Sequence, residues 1–286
     1  MTDSSCSHDC SSCSSSSCSS RNAPPKPDNS KFLKNTLVVM SGKGGVGKST
    51  ISVNLAVSLA LKGKKVGLLD VDIHGPSIPT MLHLQGEHLM SDGEKLIPVE
   101  KAGLKIVSVG LLLENPDDAI IWRGPMKIGA IGQFINDCHW GELDYLVVDA
   151  PPGTGDEPLS VFQTLTGKSS AVIVTTPQEV SAADVRKSLS FCKLLKVKVE
   201  GIIENMSGFV CPCCKTLTPI FNTGGGEKMA KEFNVPFLGK IPIEPAIGQA
   251  CDKGEVFAFT NSESETGKIF SDIADKIILG ELRTEN

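Results

Sequence analysis

Beyond residue 31 the chain alternates two hydrophobic rhythms. Short continuous runs of branched apolar residues, such as those at 37–40 and 145–149, predict strands buried on both faces. Similar runs fall at 66–70, 105–109, 171–175, 201–204 and 237–239. Between them, apolar residues recur every three or four positions over 49–62, 126–138, 182–195, 227–233 and 266–279, the spacing of helices with one buried face. Strand and helix in turn imply right-handed crossovers and an α/β fold, a mostly parallel sheet with helices on both faces. Ligands of such sheets collect at the carboxyl ends of the strands, so the loops there are the ones to read. The stretch 95–109 has room for an extra pair of strands, whose pairing the pattern leaves open.

The first thirty residues follow neither rhythm. Residues 1–20 are nearly all Ser and Cys and cannot build an apolar core, while 21–30, with Pro24, Pro25 and Pro27, reads as an extended linker. The expected organisation is a tail over 1–31 ahead of a domain over 32–286. A chain of 286 residues with 40% hydrophobic content has enough apolar surface for one large core. A net charge of −5 argues against a general nucleic-acid binder, which needs a basic face. No apolar run approaches the ~20 residues of a membrane span, and the polar N-terminus lacks the apolar centre of a signal peptide. A cytoplasmic, reducing setting is the default expectation.

After the first strand come Gly42, Lys43, Gly44, Gly45, Val46, Gly47, Lys48, Ser49 and Thr50. They satisfy the phosphate-binding pattern G-x-x-x-x-G-K-[ST] in the strand, loop, helix order it requires. Glycines let successive backbone N–H groups point at phosphate oxygens, and the following helix adds the positive end of its dipole. Lys48 supplies a mobile charge for the outer phosphates and Ser49 a hydroxyl for Mg²⁺. Lys43 serves a nucleotide poorly in its own subunit but well across an interface; the bland alternative is a solvated loop lysine.

Three further loops sit at strand ends. The first runs Asp70-Val-Asp72-Ile-His-Gly-Pro-Ser77, where Asp72 is placed to orient a water or hold Mg²⁺ through one, unless it only forms a turn. The second delivers Asp149 from an apolar strand in the Walker B manner, then runs Ala-Pro-Pro-Gly153-Thr-Gly155-Asp156, with glycines that let a backbone approach and leave a γ-phosphate. The third carries Asn205, whose amide both donates and accepts and so suits an adenine edge or, equally, a turn.

These motifs, together with Trp122-Arg-Gly-Pro-Met126, Asn205-Met-Ser207 and Cys211-Pro-Cys-Cys214, resemble the Mrp/nucleotide-binding-protein family of iron–sulfur cluster carrier ATPases over nearly the whole chain from Phe32 onward. The resemblance implies a P-loop NTPase fold of the deviant Walker A kind, like MinD and the nitrogenase iron protein. It implies a homodimer or heterodimer that binds and hydrolyses ATP with Mg²⁺, holds a [4Fe–4S] cluster and delivers it to apo iron–sulfur proteins. Lys43 is then the lysine that reaches across the dimer, Asp72 the water-orienting group, Asp149 the Walker B acid and Asn205 an adenine contact.

The ten cysteines fit that chemistry. In a cytosolic nucleotide-binding chain they favour metal or cluster ligation over disulfides. Cys211 and Cys214 form a C-x-x-C turn whose thiolates suit an iron–sulfur cluster or a structural zinc, and two ligands need others from the chain or from a partner. The resemblance supplies the partner, with the cluster bridging two subunits. Cys6, Cys10, Cys13 and Cys18 are enough for a second [4Fe–4S] cluster in the tail and resemble an N-terminal motif of one branch of the family, at tighter spacing; His8 adds a zinc alternative. Cys138, Cys192 and Cys251 read as small core residues.

Competing readings are a MinD/ParA-like positioning ATPase, a cluster-bearing reductase and a zinc-stabilised dimeric scaffold. A membrane-positioning helix wants a basic face, yet Asp272, Asp275 and Glu281 offset Lys268, Lys276 and Arg283 around the last apolar stripe, so that helix is expected to pack on the core. The reductase type carries a cysteine in the Asp149–Asp156 loop, which has none here.

Overall fold

The computed structural model of the chain describes residues 31–113, 115, 122–211, 213–214 and 216–282. In chain order the first half contains β1 (Leu33–Ser41), α1 (Lys48–Leu61), β2 (Val66–Asp70), α2 (Ile78–Met81), β3 (Met90–Ser91), β4 (Leu96–Ile97), β5 (Val99–Lys101), β6 (Leu104–Ser108), α3 (Gly124–Asn136) and β7 (Leu143–Asp149). The second half contains α4 (Asp156–Thr164), β8 (Lys168–Thr175), α5 (Glu179–Leu194), β9 (Lys198–Glu204), β10 (Phe209–Val210), β11 (Leu217–Thr218), α6 (Gly225–Phe233), β12 (Phe237–Lys240), α7 (Pro245–Asp252), α8 (Phe257–Thr260) and α9 (Glu265–Leu282).

Eight strands of the described residues form the main sheet in the order β12-β9-β8-β1-β7-β2-β6-β5. Its pairs are parallel except for β5 against β6. Successive residues of β1 serve opposite faces, as the period of two requires. Leu37 and Val39 join the core under α1, α8 and α9 with Leu55, Phe257 and Phe270. Val38 and Met40 join the core under α3, α5 and α6 with Phe134, Val185 and Met229. Both faces being covered explains why the central strands read as unbroken apolar runs.

Helix α1 is buried nearly all round, so its polar residues need internal partners. Ser52 and Ser58 bond back to the carbonyls of Lys48 and Asn54 at 3.0 and 2.8 Å, and Asn54 Oδ1 accepts from the amide of Ala258 at 2.8 Å. The last helix packs Phe270, Ile273 and Ile277 into the core, as its apolar stripe predicts. Among the described residues no helix is long and apolar enough to cross a membrane.

The stretch 95–109 resolves into two devices. β4 pairs with β3 in a small hairpin, and β5 returns against β6 as the sheet's edge. The β5–β6 turn is Ala102-Gly103 with φ of 51° and 75°, the doubly positive pair of a tight hairpin. Helices α2 and α8, of four residues each, are too short for a periodic signal to mark them.

Candidate functional site

The carboxyl ends of β1, β7, β2 and β9 bring the four sequence-marked loops together. Between Ser41 and Lys48 the chain must turn from strand to helix within six residues. Gly45 and Gly47 take φ of 79° and 82°, where a side chain is disfavoured. At Gly42 the demand is closeness: a Cβ would collide with the Asp184 side chain and lie 2.5 Å from its backbone carbon. Val46 is buried, whereas Gly44 and Gly45 are exposed at the crest and Ser49 and Thr50 are half-buried in the first turn of α1. The N-cap residue of α1 is Gly47, which has no side chain to cap it, so the first N–H groups and positive dipole end of the helix are available to an anion.

Lys48 lies beneath this loop with its Nζ 2.7 Å from Asp149 Oδ1, 3.5 Å from Ser49 Oγ and 3.8 Å from Asp72 Oδ2. Ser52 Oγ also reaches Asp149 Oδ1, at 2.8 Å. The other oxygen of that fully buried carboxylate, Oδ2, has no hydrogen-bond partner among the described residues. Buried polar atoms are rarely left so, and an orphaned carboxylate oxygen close to a serine and the anion loop fits a hard divalent cation or its water shell.

Asp70 is the residue sequence reasoning passed over. Register places it directly opposite Asp149 on the neighbouring strand, and both are fully buried. Burial, reinforced by the charge of Asp149, pushes its carboxyl up to about 8, so Asp70 holds a proton at neutral pH. Its oxygens accept from the amide of Asp72 at 3.1 Å and the hydroxyl of Ser108 at 2.9 Å, which fixes the turn that carries Asp72. The signal was present: of two aspartates at the end of a buried run, the first continues the strand. Asp72 is shifted upward as well, by burial first, with Lys48 opposing.

Beyond Asp149, the Gly153 amide donates to Ser41 O at 2.7 Å and so ties the second loop to the root of the phosphate loop. Lys127 of α3 donates to His74 Nε2 at 2.8 Å and to Glu157 Oε1 at 2.9 Å, linking the Asp72 loop to the first turn of α4. The backbone carbonyl of Lys43 accepts from Ser41 Oγ at 2.9 Å, and its side chain is half-exposed. Asn205 donates one amide N–H to Val46 O at 2.8 Å and so braces the phosphate loop. Arg123 flanks α3 at its N-terminus, and Trp122 packs against the core there.

The cysteine turn is separate from these groups. Strands β10 and β11 form a short antiparallel hairpin closed by the amide of Cys211 on Thr216 O at 3.0 Å. Cys211 is half-buried, and Cys213 and Cys214 are exposed. Hydrogen bonding with Thr216, then with Cys211, draws the Cys214 thiol down to about 7, which raises the share of ligating thiolate near neutral pH. Among the described residues no three His, Cys, Asp or Glu side chains converge to hold a metal ion. Cys138 and Cys192 are buried in the core, where desolvation pushes their thiols up to about 12 and about 11. Cys6, Cys10, Cys13 and Cys18 lie outside the described residues.

Known proteins share this arrangement of sequence and fold. The ParA family model described as NUBPL iron-transfer P-loop NTPase matches residues 32–278. The chain is 50% identical over 253 residues to the iron–sulfur cluster carrier protein of Methanocaldococcus jannaschii, covering 87% of each. It is 47% identical over 261 residues to the cytosolic Fe–S cluster assembly factor NUBP2 of Rattus norvegicus, covering 90% of this chain and 96% of that protein. The nucleotide-binding protein of Archaeoglobus fulgidus in complex with ADP superposes with a TM-score of 0.70 at 40% identity, over 80% of this chain and 91% of that one. The septum site-determining protein MinD of Pyrococcus horikoshii shares the fold, with a TM-score of 0.63 at 21% identity over 86% of this chain and 96% of that one.

Proposed function

The chain belongs to the NUBPL iron-transfer P-loop NTPases of the ParA family, and on that premise we propose that it binds and hydrolyses ATP and carries a [4Fe–4S] cluster as cargo on Cys211 and Cys214, delivering it to apo iron–sulfur proteins. The observation that carries this reading is an anion-binding loop following the carboxyl end of β1 and a cysteine hairpin following that of β9, whose exposed Cys214 has a lowered thiol pKa. Relatives at about half identity named as iron–sulfur carriers or assembly factors support the cargo, whereas the likeness to MinD extends to fold only.

In the free protein Asp149 occupies Lys48. Arriving phosphates take the loop N–H groups and Lys48, which releases Asp149. Ser49 and Asp149 would hold Mg²⁺, which when bound would offset phosphate charge. Asp72, a short step from Lys48, orients the attacking water. Lys43 acts on the nucleotide of a partner subunit in a homodimer or heterodimer. Asn205 keeps one N–H on Val46 O and offers its second N–H and its oxygen to the adenine edge. Two thiolates from each subunit complete a bridging, exposed cluster site, and the tail cysteines 6, 10, 13 and 18 hold a second cluster. The setting is the cytoplasm.

Anaerobic reconstitution of the full chain, with iron, sulfide and zinc quantitation and sizing by light scattering, tests the reading. Cys211→Ala/Cys214→Ala should lose the chelator-accessible iron and the cluster-held dimer together and retain ATP binding. Undiminished labile iron in that variant refutes the site, and zinc in place of iron refutes the cargo.

A further inference from the structure

Glu204, the last residue of β9, belongs to neither the nucleotide loop nor the cysteine turn, yet it is fully buried and touches the roots of both hairpin arms. Its Oε1 accepts from Ser207 Oγ at 2.5 Å, on the arm entering β10. The same oxygen accepts from the amide of Gly224 at 2.9 Å, and Oε2 accepts from the amide of Gly226 at 2.6 Å, on the arm leaving β11. The second arm ends in α6, whose N-terminus the carboxylate caps. One anion therefore closes the twenty-residue excursion that carries Cys211 and Cys214.

The next residue along the chain braces the phosphate loop. Asn205 reaches Val46 O with its side chain and Thr175 O with its backbone amide, both at 2.8 Å. Gly47 approaches the same Asn205 amide so closely that a Cβ there would collide with it. The link from Asn205 into the hairpin has little slack. Met206 is held at φ 57°, a conformation a side chain rarely adopts, and the Ser207 amide is fixed on Ile241 O at 2.9 Å. On the other arm, a Cβ on Gly225 would lie 2.7 Å from Pro177 O, and one on Gly226 would lie 3.1 Å from Glu204 Cβ. Packed elements of this kind shift as units rather than deform.

We infer that Glu204 is a positioning residue that couples the two sites: it locks the cysteine hairpin to the strand end that senses the phosphate loop, so that nucleotide binding changes the setting of Cys211 and Cys214. A carboxylate is needed because all three partners are donors, and a glutamine places its own N–H groups against one of them. The inference rests on the carrier reading for its purpose, but the coupling is measurable without a cluster.

Hydrogen exchange of the full, metal-free chain with and without MgADP provides the test. In the wild type, MgADP should slow amide exchange at 42–50 and also at 207–211 and 217–226, by at least about threefold. In Glu204→Gln the slowing at 42–50 should persist and the response at both hairpin arms should vanish. Ser207→Ala, which removes one link and leaves α6 capped, should lose the response in 207–211 and keep it in 223–226, and serves if Glu204→Gln unfolds. A wild-type hairpin indifferent to MgADP overturns the inference, as does a hairpin response that survives in Glu204→Gln. A wild type that responds at the hairpin yet retains no iron on reconstitution instead overturns the carrier reading and leaves the coupling standing.

Discussion

Replacing Lys48 by Ala in the nucleotide-free protein removes the only cation among the described residues within 3 Å of a carboxylate that is fully buried. Among the described residues Asp149 then keeps just the hydroxyl of Ser52 on one oxygen and nothing on the other. Breaking a buried pair from one side costs about 3–5 kcal/mol, because the stranded charge retains its desolvation penalty. For a domain of this size that lowers the melting temperature by about 6–20 °C, at about 2–4 °C per kcal/mol. Asp149→Asn should cost less, since the freed ammonium can turn to Asp72, which is 3.8 Å away and 15% exposed. The double variant Lys48→Ala/Asp149→Asn leaves no buried charge from the pair, and its coupling energy should be about 2–3 kcal/mol in the restoring direction.

Urea unfolding of the four proteins in EDTA, without nucleotide, measures this cycle. Additive losses within about 0.5 kcal/mol would refute the reasoning, because they would mean that Lys48 and Asp149 do not depend on each other. The same pair makes a second, independent demand on the assay. Phosphates must take Lys48 from Asp149, so in EDTA the Asp149→Asn protein should bind ATP at least as tightly as the wild type, although its Mg²⁺ dependence is weakened. A loss of Mg²⁺-free affinity in that variant would show that Asp149 does not hold Lys48 in reserve.

Lys43→Ala should spare most nucleotide affinity and suppress both turnover and the ATP-bound dimer; equal loss of affinity in Lys43→Ala and Lys48→Ala, followed by calorimetry, would count against action across the interface. Asp72→Asn should keep MgATP bound and lower kcat by about 10²-fold or more, as loss of a positioned base does, and an unchanged kcat would sink that assignment. Asp70 gives a pH signature. Its folded value of about 8 lies above the unfolded carboxylate value, so the folded state holds the extra proton, and the stability it contributes is full in acid and is lost as pH rises toward 8. From pH 6 to 8 that loss is about 2 kcal/mol, at about 1.4 kcal/mol per pH unit before the group titrates. Asp70→Asn should lack this decline in thermal melts run without Mg²⁺, and an identical slope in both proteins would contradict it.

The sheet was legible because its strands are buried on both faces, which leaves continuous apolar runs that only the edge breaks. Strand β5 at that edge alternates exposed and half-buried residues, so it carries no such run. The phosphate loop was legible for a different reason: its glycines, lysine and serine face a ligand, and ligand chemistry fixes their spacing along the chain. Residues that face one another leave no such trace. Asp70 meets Asp149 through strand register, Asn205 meets Val46 across 159 positions, and Glu204 meets Gly226 across a hairpin. In each case one partner lies at a strand end, where a polar residue is expected anyway, and the other is a main-chain group or a distant carboxylate. Topology brings them together, and burial then sets the chemistry. A carboxylate at the surface is an anion at neutral pH, whereas Asp70, with the same side chain and one strand away from Asp149, is an acid. The spacing of aspartates therefore marks where the chemistry sits, but which of them holds a proton follows only from which neighbour shares its low-dielectric site.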